Sequence, residues 1–149
     1  SIVSSNFTWW VSYDHKSLEA CPDYEGPVCL DFYGRLHPRH TGGTVHIQEA
    51  SNLTSAIVPA LLDAFDRYTD HRLLYRRLGI CAEDIYIDNG YYQYNFFADY
   101  QALERERRLK KAISGIRSKY GANSLFLGKN MLDGATQLER NGQIGGHRA

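Results

Sequence analysis

The chain has 149 residues, 43% of them hydrophobic, and a formal net charge of zero. This length and apolar content suit one domain of ordinary size with a packed core, or one small domain with an appended arm. The neutral total gives no global basic signature, which counts against nucleic acid as a partner, but it can hide local patches that set the field at a binding surface. Acidic residues lie early in the chain and basic residues late. These are Asp14, Glu19, Asp23, Glu25 and Asp31, and then Arg105, Arg107, Arg108, Lys110, Lys111, Arg117 and Lys119.

Neither a membrane span nor a disulfide framework is indicated. No apolar run approaches the roughly 20 residues of a membrane helix, so no membrane partner is expected. The three cysteines have no CxxC spacing, and a reducing cytoplasm is the simpler expectation. A zinc site built from Cys21, Cys29, His37 and His40 would have wider spacing than the usual short pairs. We therefore expect reduced thiols and surface imidazoles there, and no metal site.

The first predicted strand covers Phe7 to Tyr13, a run rich in aromatic and β-branched residues. Neighbouring side chains of a strand leave on opposite faces, so Trp9, Val11 and Tyr13 share one face. The other face would be a docking surface or a half-solvated side of a sheet. It carries hydroxyls and an indole, from Thr8, Trp10 and Ser12.

Residues 14–43 indicate a long irregular connection, because prolines and glycines interrupt them repeatedly. Such a connection is uncommon in a compact domain and often has a function. Gly42-Gly43 then leads into a short strand, Thr44 to Ile47, whose alternation places Thr44 and His46 on one face.

A helix is predicted next, and Ser51, Asn52 or Thr54 could cap it. Pro59 has no N–H to donate, which favours a start near Thr54 or a local bend. Apolar residues recur at helical spacing and are expected to lie in the core. They are Ile57, Leu61, Phe65 and Tyr68, widened by Val58 and Leu62.

Two adjacent arginines lie in the following predicted strand, Leu73 to Ile80. Arg76 and Arg77 cannot both point into a core, so at least one faces water or a polyanion. The competing interpretation makes one a solvated surface residue and the other a salt-bridge partner. Composition alone does not separate the two.

The second half of the chain combines aromatic, basic and glycine-rich segments. Residues 91–100 hold many aromatic side chains but show no helical or strand period. This pattern is typical of an exposed peptide whose aromatic side chains bind in a groove of a partner. Asp99 to Tyr120 is predicted to be a helix that ends at Gly121, and its charged majority is typical of a solvated amphipathic helix. The tail, residues 130–149, has no apolar period to bury and is expected to be flexible.

The sequence contains no catalytic motif of the P-loop, GxSxG, HExxH or GxGxxG type. Candidate carboxylates beside the strands share no spacing that would hold paired metal ions. A binding role is therefore the main expectation. Phosphates are bound by arginine, by hydroxyls and by backbone N–H groups, in contacts that are independent of base sequence and sensitive to salt. If the three strands lie side by side, such a face would comprise Arg76, Arg77, Thr8, Ser12, Thr44 and His46.

The order of these pieces resembles the second half of the little-finger domain of Y-family translesion DNA polymerases, in particular the bacterial UmuC-like (ImpB/MucB/SamB) branch. The resemblance is carried by FTWWVSY, GGTVHI, the helix from Thr54 and LLYRRLGI, and by a tail that includes KYG and ERNGQIGGH. The peptide Gln93-Tyr94-Asn95-Phe96-Phe97 is similar to the QLxLF-type peptide that attaches bacterial polymerases to the sliding clamp. Tyr94 and Phe96 replace the usual leucines, and the tyrosine hydroxyl must stay solvated, so weaker clamp affinity is expected.

The resemblance implies an α+β fold, with part of a β-α-β-β-α-β unit in which an antiparallel sheet packs on a helix. An appended C-terminal helix and a flexible tail would follow. The first strand and helix of that unit, and the polymerase palm, fingers and thumb, would lie before Ser1. The chain would then be a C-terminal fragment that cannot polymerise alone. The implied parts are a DNA-binding domain at 1–88, a clamp-binding linker at 89–98, a basic helix at 99–121 and a tail at 122–149.

The implied function is DNA binding for an error-prone polymerase of translesion synthesis, DNA repair and the SOS response, in the bacterial cytoplasm at the nucleoid. Arg76 and Arg77 would hold the template-primer backbone, and Gln93 to Phe97 would bind the sliding clamp. The intact polymerase would use Mg²⁺, with the catalytic core as a further partner, and this chain itself would hold no cofactor. The alternative is a protein-interaction module that uses the aromatic segment 91–100 and does not bind DNA.

Overall fold

A computed structural model describes residues 2–90, 99–144 and 147–148. The chain forms two compact units, Ser1–Asn95 and Phe96–Ala149. Helices occur together with an antiparallel sheet, which confirms the predicted α+β class.

The first unit follows the predicted order of strand, strand, helix and strand. Its elements are β1 (Ile2–Tyr13), α1 (Ser17–Ala20), β2 (Val28–Leu30), β3 (Leu36–Pro38), β4 (Thr41–Ser51), α2 (Thr54–Tyr68), β5 (Tyr75–Glu83) and β6 (Tyr86–Ile87). The predicted order is present as β1, β4, α2 and β5. Unrelated α+β domains can share such an order, so the little-finger assignment stays a prediction.

β1 is the central strand of the sheet. It pairs antiparallel with β4 on one side and with β5 on the other, and its first residues also pair with β6. In this register Trp10 lies between Gly42 of β4 and Gly79 of β5. Because β4 and β5 are each antiparallel to β1, they run parallel to each other, and α2 forms the crossover that joins them.

The two faces of β1 differ as the alternation predicted. Trp9, Val11 and Tyr13 are 4%, 0% and 2% exposed, whereas Trp10 is 40% exposed. The buried side chains of β1 form a core with Leu61 and other residues of α2, β4 and the loops. α2 therefore covers one face of the sheet, and the polar side chains of β1 lie on the opposite face.

The start of α2 at Thr54 is confirmed, and Pro59 lies inside the helix. The predicted side-chain cap is wrong, since Leu53 occupies the N-cap position and no side chain caps the helix there. The Ser51 hydroxyl instead accepts a hydrogen bond from the Leu53 N–H at 3.0 Å. Leu53 is only 2% exposed, so burial of its side chain determines how the chain passes from β4 into the helix.

Only part of the predicted apolar stripe of α2 is buried. Leu61 belongs to the core and Phe65 packs against it, but Leu62 is 53% exposed and Tyr68 64% exposed. The predicted burial of these last two residues is wrong, because α2 lies nearest β4 and leaves the apolar side of β5 uncovered. Between α2 and β5 is a groove of about 240 Å³, lined by Trp9, Val58, Leu61, Leu62, Phe65, Leu78 and Ile80.

The connection between β1 and β4 contains regular structure, which the sequence did not predict. After the short helix α1, β2 and β3 form an antiparallel hairpin. The Asp31 carboxylate accepts hydrogen bonds from the Arg35 and Tyr33 N–H groups and from the Arg35 guanidinium. These interactions lower the pKa of Asp31 to about 2. The turn was missed because it depends on an aspartate side chain and on Gly34 at positive φ, not on hydrophobic period.

The second unit begins with α3 (Tyr100–Tyr120). Asp99 caps it by accepting a hydrogen bond from the Ala102 N–H at 3.0 Å, and Gly121 ends it at a φ of 94°, as the sequence predicted. Shorter elements follow: a 3₁₀ turn at Gly128–Met131, α4 (Gln137–Arg140), β7 (Gln143–Ile144) and β8 (His147–Arg148). These short elements were not anticipated from the sequence, since short turns need no apolar period, and the flexibility expected of the tail stays a prediction.

None of the residues in α3 is buried, which agrees with the prediction of a solvated amphipathic helix. In the part of the chain that the structure describes, no helix has both the length and the apolar character that a bilayer crossing requires.

Two neighbouring leucines of α2 test the position of the core. Replacing Leu61, which is 8% exposed, by alanine is expected to lower the free energy of unfolding by about 2–4 kcal/mol, because a buried cavity forms. Leu62→Ala, at a position that is 53% exposed, should cost less than about 1 kcal/mol. Urea unfolding followed by circular dichroism measures both. Equal losses would contradict the orientation of α2.

Candidate nucleic-acid interface

The sheet face opposite α2, called here the outer face, collects most of the predicted binding residues. Strand registers place on it Asn6, Thr8, Trp10 and Ser12 of β1, Gly42, Thr44 and His46 of β4, and Arg77, Gly79, Cys81 and Glu83 of β5. Thr8 lies opposite Thr44, and Ser12 lies opposite Arg77. The structure thus brings Thr8, Ser12, Thr44, His46 and Arg77 to one surface.

Arg76 is placed differently from Arg77. The register passes from the pair Ser12–Arg77 directly to the pair Tyr13–Tyr75, so Arg76 is the extra residue of a β-bulge. A bulge redirects a side chain at the end of a strand. The two arginines therefore do not follow the simple alternation assumed from the sequence.

Both arginines are exposed. Among the residues that the structure describes, neither comes within 4.0 Å of a carboxylate to form a salt bridge. Arg76 lies close enough to Asp14 to help lower the pKa of that carboxyl, although the N–H of Lys16, which donates to it at 3.0 Å, is the larger cause. Arg77 is consequently the guanidinium more available to an external anion.

The far end of the outer face is acidic. The Thr8 hydroxyl donates to the Glu83 carboxylate and lies 3.2 Å from the Thr44 hydroxyl. The Asn6 amide donates to Asp84 at 2.8 Å, and its carbonyl oxygen lies 2.7 Å from Nδ1 of His46. Two carboxylates therefore already engage the hydrogen-bonding groups at this end, which lies about 20 Å along β5 from Arg77.

Trp10 occupies the middle of the outer face, between two glycines. A Cβ added to Gly79 would lie 2.3 Å from Cε2 of the indole, so the ring rests on a position where no side chain fits. A Cβ on Gly42 would lie 2.5 Å from the Trp9 carbonyl oxygen and 3.0 Å from Cβ of Trp10. The sequence placed Trp10 on a face that would be a docking surface or a half-solvated side of the sheet, but its contact with Gly79 was not predicted. The signal available was the isolated Gly79 inside a strand, which often marks a close approach.

The remaining predicted sites have no assembled counterpart in residues 2–90, 99–144 and 147–148. No three His, Cys, Asp or Glu side chains gather there that could hold a metal ion, and the resemblance implied Mg²⁺ only for the intact polymerase, not for this chain. Of the zinc candidates, Cys29 Sγ lies 3.5 Å from Nε2 of His37, while the Cys21 thiol contacts Asp23. The clamp-binding peptide, Gln93 to Phe97, lies outside the described residues.

Alanine substitutions at two glycines of the same sheet test the contact between the Trp10 ring and Gly79. Gly79→Ala should lower the free energy of unfolding by about 1–3 kcal/mol, because the new methyl group displaces the indole. Gly43→Ala is the control, since its Cβ would lie 3.8 Å from Nε1 of Trp9, an ordinary contact, and should change stability by less than about 0.5 kcal/mol. Chemical denaturation gives both values, and coincident unfolding curves would argue against the contact.

Comparison with protein-family models, with curated proteins and with solved structures found no match. The structural observations that bear on function are those of the outer face. That face joins an exposed arginine end, a central tryptophan and an acidic end on one sheet surface.

Proposed function

We propose that this chain is the DNA-binding C-terminal part of an error-prone Y-family DNA polymerase of the bacterial UmuC-like branch, which acts in translesion synthesis and DNA repair. The sequence resemblance suggests the family. One structural observation supports the binding role: Arg77 is exposed at one end of a sheet face that also carries hydroxyl groups, and Arg76 is exposed next to it at the bulge.

Arg77 and Ser12 are the best-placed pair for a phosphate. They lie opposite each other in the register, so a guanidinium and a hydroxyl are offered to the same anion. Phosphate contacts of this kind position a protein on the DNA backbone without reading its bases. They would hold a template-primer duplex of any sequence, as a polymerase that copies varied lesions requires.

The acidic end of the outer face would determine where a DNA backbone crosses the sheet. Glu83 and Asp84 would repel a phosphate backbone, whereas Arg77 attracts it at the opposite end of β5. The hydroxyls of Thr8 and Thr44 lie beside Glu83 and contribute less than the sequence suggested. The backbone would therefore cross the sheet at the Ser12–Arg77 end.

The second unit offers a further basic surface. Residues 101–119 contain seven basic and two acidic side chains. One of those acidic residues, Glu104, lies 3.8 Å from Arg107 and 4.0 Å from Arg108. The remaining positive charge on α3 would add nonspecific attraction to DNA.

Removal of the arginines tests the DNA-binding proposal. Arg77→Ala is expected to weaken binding to a primer-template duplex by roughly five- to tenfold and to make the negative slope of log K against log salt shallower by about 1. The double variant, Arg76→Ala with Arg77→Ala, should weaken binding further and make the salt dependence shallower still. Arg67→Ala on α2 is the matched control, because its guanidinium pairs with Asp63 at 2.7 Å on the other side of the sheet. Fluorescence anisotropy across a salt series measures the effect, and an unchanged slope in the double variant would refute the proposal.

Clamp attachment is a separate part of the proposal and has its own test. Phe96→Ala combined with Phe97→Ala should abolish retention of the full chain on an immobilised bacterial sliding clamp, because both apolar anchors of the peptide are lost. Tyr91→Ala with Tyr92→Ala, in the same aromatic segment but outside the peptide, is the control. Undiminished retention of the phenylalanine variant would disprove clamp binding through this peptide. Protein binding without any DNA binding would instead favour the interaction module.

A further inference from the structure

We propose that Trp10 is a stacking site for an unpaired base of a DNA strand, so that the outer face binds single-stranded as well as duplex DNA. The inference rests on the proposed DNA-binding function and adds a second binding mode to it. Trp10 is 40% exposed at the centre of the face, while its neighbour Trp9 is 4% exposed in the core. A large aromatic side chain is thus presented to solvent by a rigid strand.

The glycines on either side explain why the ring is available. Gly79 and Gly42 are the strand neighbours of Trp10, and a side chain at either position would collide with the indole or with the β1 backbone. Glycine within a strand weakens it and marks close approach. Here Gly79 is the position against which the indole rests, which holds the ring in place before a ligand arrives and reduces the ordering cost of binding, whereas Gly42 leaves room for the β1 backbone and Cβ of Trp10.

Charge complementarity identifies the ligand. Arg77 lies two residues from Gly79 on the same face, about 7 Å along β5, so a phosphate next to a stacked base lies within reach of its guanidinium. An aromatic platform beside a cationic group is the combination that single-stranded nucleic acids favour. Glu83 at the far end opposes continuation of the strand in that direction, so the strand would leave past Ser12.

The base has to be unpaired. In a duplex the base faces are stacked on one another, and only the base edges are accessible in the grooves. Apart from the terminal base pairs of a duplex, an exposed indole can therefore stack only on a base that is outside a double helix. Duplex DNA would use the arginines without Trp10, and a single strand would use both.

Substitution of Trp10 separates the two binding modes. The full chain is titrated into a labelled oligothymidylate of about 12 nucleotides and into a duplex of the same length. Trp10→Ala should weaken single-strand binding by on the order of tenfold to a hundredfold and leave duplex binding unchanged. Trp10→Phe should keep most of the single-strand affinity, because a phenyl ring still stacks. Phe32→Ala, at an aromatic residue 95% exposed on the β2–β3 hairpin, should change neither affinity.

Fluorescence provides a readout that a structural role would not affect. Oligothymidylate should quench the tryptophan emission of the wild-type chain but not that of Trp10→Phe, in which Trp9 is the remaining tryptophan and its blue-shifted emission reports an intact core. The stacking site would be overturned if Trp10→Ala bound the single strand with wild-type affinity, or if it lost affinity equally for both DNAs. In either case duplex binding by the wild-type chain would still support the proposed function. Absence of binding to either DNA would overturn both.

Discussion

Alternation along β1 is the constraint on which the rest of the structure depends. Trp9 and Val11 are buried against α2, and this forces Trp10 and Ser12 to the outer face. A shift of one residue in the register would exchange the two sets and expose the core. The burial energy of one face therefore holds the binding groups of the other face in position, and the same burial sets which residues of β4 and β5 lie beside them.

The proposed binding role of the outer face depends on the order of charges along β5. Arg77 lies at one end and Glu83 at the other, with the Trp10 ring resting on Gly79 between them. A neutral chain can bind a polyanion under these conditions, because local charge and not the total sets the field that a phosphate meets. In the proposed binding mode the arrangement would also give the DNA strand a direction, since Arg77 attracts phosphate and Glu83 repels it.

A single helix covers the opposite face incompletely, and this explains why the helical pattern of α2 predicted burial for a residue that is exposed. Periodicity identified Leu61 and Phe65 as core residues, and it identified Leu62 equally well. Which part of an apolar stripe is buried depends on the strands beneath it. α2 lies nearest β4, so the side chains of Leu62 and Leu78 remain on an open groove. The β2–β3 hairpin was missed for a different reason, because its turn depends on Asp31 side-chain hydrogen bonds.

The sequence by itself determined the α+β class, the two faces of β1, the start of α2 and both ends of α3, because each of these follows from local period, from the position of a proline or from a capping residue. Only the tertiary structure decided which residues share the outer face and how they interact. Three features depend on the register between strands that are distant in the chain. They are the bulge at Arg76, the hydrogen bond from Thr8 to Glu83 and the contact of the Trp10 ring with Gly79. Register results from the packing of the whole core, so no local pattern reveals it.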